Sequence, residues 1–241
     1  MQIPARVRRL GRQANVGWRA VRHGEAPWPG FGEPFNGQHL RLKTVRSLID
    51  AFEPDAFVET GTFLGFTTRF FSGNGIPVHT VEVKPSFYLG ARVSLGWQRD
   101  VNLMRSSSPE ALAQLTRGPS FRRPLAYLDA HWWNDLPLQA EVDQLFGACD
   151  EVVIVVDDCQ VPGDEGYGYD HFLGTPLSAD LLELPDDAVV AYPAAPAADE
   201  TGSRRGTLYI ARGDDATTAF GLLEERGLLA TAAKHTQAVA A

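Results

Sequence analysis

The stretch AFVETGTFLGFTTRFF, residues 56–71, passes from an apolar run through two glycines into a segment with helical spacing. AFVETG, which contains Glu59, reads as a strand: it is short, mostly apolar and stopped by turn residues. Thr67 to Phe71 read as helix. Between them, Gly61 and Gly65 supply a turn in which backbone approaches a ligand, and the following helix offers free N–H groups. The turn has the form E-x-G-x-x-x-G rather than the G-x-G-x-x-G of a dinucleotide site. An acid at Glu59 suits a cationic ligand better than a pyrophosphate.

Working outward, the same alternation repeats. GQHLRLKTVRSLIDAF places Leu40, Leu42, Val45, Leu48, Ile49 and Phe52 at helical spacing. Downstream, VHTVEV, VNLMRS, PLAYLDA and EVVIVVDD read as strands. Helical segments around SFYLGARVSLGW, PEALAQL and PLQAEVDQLFGAC separate them. Such alternation builds an α/β domain whose parallel sheet is covered on both faces. AVVAYPA and GTLYIAR follow, too close for a crossover helix, so an antiparallel edge pair is expected. AAPAADETGS between them reads as an exposed turn.

The 241 residues are 44% hydrophobic, enough for a full core, and neither a repeat nor a low-complexity linker appears. One domain over residues 37–241, preceded by an irregular arm over 1–36, is the expected organisation. A net charge of −8 argues against nucleic-acid binding. The exception is ARVRRLGRQANVGWRAVRHG, with six arginines and no acid. It reads either as a solvated or docked arm, or as a contact for an acidic or phosphate-bearing partner. No signal peptide and no membrane span are recognised. Cys149 and Cys159 are too few for a disulfide framework or a cysteine-rich zinc site. A cytoplasmic location follows by default.

In open parallel sheets, ligands bind beyond the carboxyl ends of the strands. There the chain places Glu59, Thr60, Gly61, Thr62, Gly65 and Thr67 after the first strand, and Glu82 after the second. Glu82 stands about twenty residues after the glycines, where an acid accepts ribose hydroxyls. Ser106, Ser107 and Ser108 end the third strand; they read as an N-cap ahead of Pro109 or as ligand contacts. LDAHWWNDLP at the fourth supplies Asp129 and His131, and VVDDCQ at the fifth supplies Asp157 and Asp158. Three carboxylates converging in one cleft suit Mg²⁺ or another hard cation.

The acid-and-glycine loop, the acid at Glu82 and the strand order resemble the class I S-adenosylmethionine-dependent methyltransferases. That resemblance implies a Rossmann-like sheet, mostly parallel with an antiparallel edge strand. It also implies S-adenosyl-L-methionine as cofactor, held by the loop residues, Glu82, Ser107 and Asp129. The strand-end acids are similar to those of the metal-dependent O-methyltransferases of the macrocin type. Carried over, Asp129, Asp157 and Asp158 become ligands for Mg²⁺. His131 stands where that family has an aspartate as base, so it reads as base, metal ligand or structural residue. The activity implied is O-methylation of a small-molecule hydroxyl, on a natural product or sugar. A metal-independent N- or O-methyltransferase, a nucleotide-sugar glycosyltransferase and a non-catalytic ligand-binding relative are the alternatives.

Further candidates surround these. VPGDEGYGYDHFLG, with Tyr167, Tyr169, Asp170 and His171, reads as an acceptor wall or a packed loop. Trp132 and Trp133 read as an acceptor platform or as ordinary packing, and Asp135 as a helix-start residue. The arm is a possible contact with a second subunit.

Overall fold

The structure, a computed structural model, describes residues 28–118, 120–130 and 136–232. Within them, one sheet runs β10–β8–β9–β5–β4–β1–β2–β3. Its parallel part consists of β1 (Ala56–Thr60), β2 (Val78–Val81), β3 (Val101–Met104), β4 (Pro124–Leu128) and β5 (Val152–Asp157). At the other edge, β8 (Val189–Pro193), β9 (Thr207–Arg212) and β10 (Leu229–Thr231) pair antiparallel. The parallel core and the antiparallel pair β8–β9 agree with the sequence reading, and β10 adds a third edge strand that it did not contain. The short hairpin β6 (His171–Phe172) and β7 (Thr175–Pro176) lies in the loop read as irregular.

The central strands β1, β4 and β5 are buried along their whole length, including the polar residues Glu59, Thr60 and Asp157 at their carboxyl ends. Among the described residues six helices flank the sheet: α1 (His39–Phe52), α2 (Phe66–Ser72), α3 (Pro85–Leu95), α4 (Ser108–Leu115), α5 (Leu138–Ala148) and α6 (Asp214–Glu225). Because side chains alternate along a strand, Phe57, Leu125, Tyr127, Val153 and Val155 share one face. They pack there with Val45, Leu48 and Phe52 of α1 and with Phe220 and Leu223 of α6. Val58, Ala126, Leu128, Ile154 and Val156 turn the other way, onto Leu112 of α4 and Leu138, Val142 and Leu145 of α5. Strand order reverses between β1 and β4, which opens the crevice of a topological switch point at their carboxyl ends.

Two features differ from the expectation. The buried core begins ahead of residue 37: Phe35 is 1% exposed. Its ring lies against Phe70, Phe71 and Tyr127. Phe35 and Asn36 both take left-handed backbone, φ 53° and 54°, and this turn carries the chain from the surface into α1. Nor is AAPAADETGS simply an exposed turn. Its Glu200 is buried and accepts the Leu40 and Arg41 N–H groups at 2.9 and 3.0 Å. Thr201 Oγ1 accepts the His39 N–H at 3.0 Å. The N-cap residue Gln38 makes no cap bond through its side chain. A carboxylate from a distant loop therefore satisfies the open N–H groups of α1 and complements its dipole. Glu200→Ala should cost about 1–2 kcal/mol. Thermal unfolding checks this; an unchanged melting temperature would mean that water caps α1 equally well.

Cys149 and Cys159 are buried and unpaired. Among the described residues no helix is long and apolar enough to cross a membrane.

Candidate active site

The glycine turn after β1 is drawn tightly against the end of β4. Gly61 has φ +84°, and a Cβ there would lie 2.3 Å from the Asp129 carbonyl oxygen, so only glycine fits. The Asp129 N–H donates to the Thr60 carbonyl at 3.0 Å, and the Gly61 N–H to that of Val81 at 3.0 Å. Three neighbouring strands thus fix the floor of the crevice. Gly65 opens α2 in left-handed backbone, φ 81°.

Glu59 lies beneath this turn, 2% exposed. Its Oε2 accepts the hydroxyls of Thr68 and, at 2.6 Å, Thr80. Thr62 stands 2.6 Å from the Thr80 hydroxyl, which is committed to Glu59, so Thr62 donates to Thr80 in turn. Among the described residues no protein group bonds Oε1 and no cation pairs with the carboxylate. Burial pushes its pKa up to about 7 against the pull of the two hydroxyls, with nearby Glu82 adding to the rise.

Glu82 is bound differently. It takes the Phe63 N–H at 2.9 Å and the Lys84 N–H at 2.7 Å, one on each oxygen. It ties the glycine turn to the start of α3. Burial raises its pKa despite these bonds. Phe63, in left-handed backbone at φ 52°, stacks edge-on with Phe87 at 4.7 Å and lies 6.2 Å from Trp28. An aromatic wall thereby flanks the crevice.

The acids of β4 and β5 stand at the neighbouring strand ends. Asp129 and Asp157 lie in the same alternation phase as Tyr127 and Val155, on the α1 side of the sheet. Asp157 is 1% exposed. One of its oxygens takes the Arg41 guanidinium and the Asp158 N–H, the latter at 2.7 Å; the other takes the Tyr127 hydroxyl at 2.6 Å. Burial alone would raise the Asp157 pKa, but the Arg41 guanidinium and the Tyr127 hydroxyl hold it below the usual range. Asp158 has φ +55°, which turns its side chain onto Arg205 Nε at 2.6 Å. Burial and the neighbouring Asp157 raise its pKa to about 7. Asp129 makes no side-chain hydrogen bond among the described residues. Burial, then Asp157 and Asp158, push its pKa well up.

Two of the three acids expected to hold a cation are thus already engaged by the chain, Asp157 by Arg41 and Asp158 by Arg205. Among the described residues no group of three His, Cys, Asp or Glu side chains is placed to hold a metal ion. The physical reason is that both Asp157 oxygens already carry protein donors, and the strained backbone at Asp158 sends the adjacent carboxylates to different guanidiniums.

Other expected residues settle into supporting places. Thr60 Oγ1 accepts the Asp129 N–H at 3.3 Å, and Thr67 Oγ1 the Phe35 N–H at 3.2 Å. Ser107 is the N-cap of α4, and Ser106 bonds Glu110 at 3.0 Å. Tyr167 is buried, its hydroxyl on the Ala195 carbonyl at 3.1 Å, so it belongs to a packed loop. Asp170 pairs with Arg205. Tyr169 and the exposed His171 lie ring to ring at 5.1 Å beyond it. His131, Trp132, Trp133 and Asp135 lie outside the described residues. The sequence reading missed Thr68 and Thr80, and above all Arg41 and Arg205. Arg41 had a signal: with Val45, Leu48 and Phe52 it keeps the core spacing of α1.

No protein-family model and no curated protein matches the chain. Solved structures do. A candidate O-methyltransferase from Klebsiella pneumoniae superposes with TM-score 0.56 at 17% identity, over 83% of this chain and 90% of that one. Cofactor-bound Rv0187 from MTB gives 0.54 at 20% identity, over 84% and 91%. The O-methyltransferase from Bacillus cereus, in complex with SAH, gives 0.53 at 14% identity, over 72% and 80%. At such identities the likeness establishes architecture: the chain has a Rossmann-like methyltransferase fold, its crevice lying at the carboxyl ends of β1 and β4.

Proposed function

We propose that the protein is an S-adenosylmethionine-dependent O-methyltransferase acting on a hydroxyl of a small molecule, a natural product or sugar. The observation that carries this reading is Glu59: a buried carboxylate with no cationic partner among the described residues, under a glycine turn, at the switch point of a methyltransferase fold. The O-methyltransferases among the superposed structures support the reaction class. S-adenosylmethionine, when bound, supplies a methyl group activated on a sulfonium. The chain fits it: Gly61 opens the floor, Glu59 offers a carboxylate to the cationic end, and Glu82 stands where ribose hydroxyls are accepted.

The rest of the chemistry falls to the chain's own residues. In-line transfer needs an acceptor oxygen held at the crevice mouth and a group to take its proton. In this reading His131, two residues after Asp129 in the sequence, is the base. The divalent cation implied by the resemblance is left out, because Asp157 and Asp158 are already paired with Arg41 and Arg205. A diphosphate-binding glycosyltransferase is disfavoured by Glu59, whose charge would face the phosphates.

Calorimetry with S-adenosylhomocysteine tests the reading. One-to-one binding is expected, and Glu82→Ala should weaken it about tenfold or more, since hydrogen bonds to a charged group are worth about 1.5–3 kcal/mol. Absence of any heat with the wild-type chain would refute it.

A further inference from the structure

The strand-end carboxylates meet two guanidiniums in a built network. Arg41 is 3% exposed. It reaches from α1 to Asp157 and to the Tyr127 hydroxyl, the latter at 3.1 Å. Its other terminal nitrogen donates to the carbonyls of Arg205 and Gly206, at 2.5 and 3.2 Å. Those carbonyls are fixed in turn. Gly206 lies so close to the end of β5 that a Cβ would fall 2.1 Å from the Cys159 carbonyl oxygen. The Gln38 amide clamps the Arg205 backbone from both sides, donating to its carbonyl at 2.9 Å and accepting its N–H at 2.7 Å. The Arg205 side chain, 25% exposed, bridges Asp158 and Asp170 and so joins β5 to the loop beside it.

A hard divalent ion could not join this arrangement without dismantling it. Mg²⁺ demands oxygens at about 2.0–2.1 Å in near-octahedral order. Recruiting Asp157 would strip it from Arg41 and Tyr127 and leave a buried guanidinium without an anion, the costly outcome of breaking a buried pair. Recruiting Asp158 would strip it from Arg205 and leave that guanidinium with Asp170 alone.

We infer that the protein supplies this site's cations itself: the guanidiniums of Arg41 and Arg205 stand where a divalent ion would neutralise Asp157 and Asp158, and the acceptor is handled without bound metal. Arg41 is the internal pin. Arg205 is a positioning residue at the mouth, holding Asp158 and the Asp170 loop in place. The inference rests on the methyl-transfer reading for what the site acts on, not for what occupies it.

The test is a Mn²⁺ titration of the EDTA-stripped full chain, read by electron paramagnetic resonance, with S-adenosylhomocysteine calorimetry alongside. Wild type should bind no Mn²⁺ up to millimolar concentration. Arg205→Ala, which leaves Asp158 and Asp170 without their cation, should bind Mn²⁺ at least about tenfold more tightly, as unneutralised carboxylates attract a cation. Arg205→Lys, which keeps the charge, should behave as wild type. Arg205→Gln replaces the alanine variant if circular dichroism shows that the latter is unfolded. Micromolar Mn²⁺ binding by wild type, or no gain in the charge-removing variant, overturns the inference. Failure to bind S-adenosylhomocysteine would instead strike the methyl-transfer reading and leave the metal result standing on its own.

Discussion

Glu59→Gln should make the protein more stable at pH 8 while removing most of its affinity for S-adenosylhomocysteine. The two effects share one cause. The folded-state pKa of Glu59 is about 7 against an ordinary 4.5, so the native state holds this proton more tightly than the unfolded chain does. Stability from this group is therefore fully present below pH 4.5, falls as pH rises towards 7, and stays lost above it. Glutamine carries no charge into the interior, and its carbonyl can still accept from Thr68 and Thr80. The variant should gain up to roughly 3 kcal/mol over wild type at pH 8, and little at pH 4. A cationic ligand group reverses the balance, because it stabilises ionised Glu59. Losing that charge-assisted contact should weaken binding by about tenfold to a hundredfold. Thermal unfolding at pH 4 and pH 8, with calorimetry on the same samples, decides. A variant less stable than wild type at pH 8 would show that Glu59 has a counter-charge after all. Unchanged affinity would remove Glu59 from the binding site.

The same residue shows what a sequence makes legible. Local patterns carried the architecture: apolar runs with turn residues between them, and the spacing of Val45, Leu48 and Phe52, are short-range signals. They located the five parallel strands, the antiparallel edge and the crevice with Glu59, Gly61 and Glu82. What stayed hidden depends on residues far apart in the chain. Glu200 caps α1 from 160 residues away. Arg41 meets Asp157 across 116 residues. A polar side chain declares its type in the sequence but not its partner, and the partner decides its role. Three acids at adjacent strand ends read as a cation site because the guanidiniums that pair with two of them, Asp157 and Asp158, come from α1 and from the turn before β9. Arg41 alone gave a hint, since an arginine in the phase of buried residues must bury a charge and needs an anion. The start of β9 gave none; only the fold brings Arg205 to Asp158.

The largest stability effect is expected at that hidden pair. Asp157→Ala, or Arg41→Met, should cost about 3–5 kcal/mol, because each leaves a buried charge without its partner. For a domain of this size that corresponds to a fall in melting temperature of about 10 °C or more. Removing both charges should cost much less than the sum. In Arg41→Met/Asp157→Leu no ion is left behind, and apolar side chains fill the space between α1 and β5. The Tyr127 hydroxyl would lose its acceptor, so part of the loss should remain, about 1–2 kcal/mol. A coupling energy of several kcal/mol in this double-mutant cycle is the expected result. Costs that merely add would show that Arg41 and Asp157 act separately, and Asp157 would again be free to serve an ion. The cycle thus reads from unfolding curves alone, with no substrate needed, whether the strand-end acid is already neutralised by the protein.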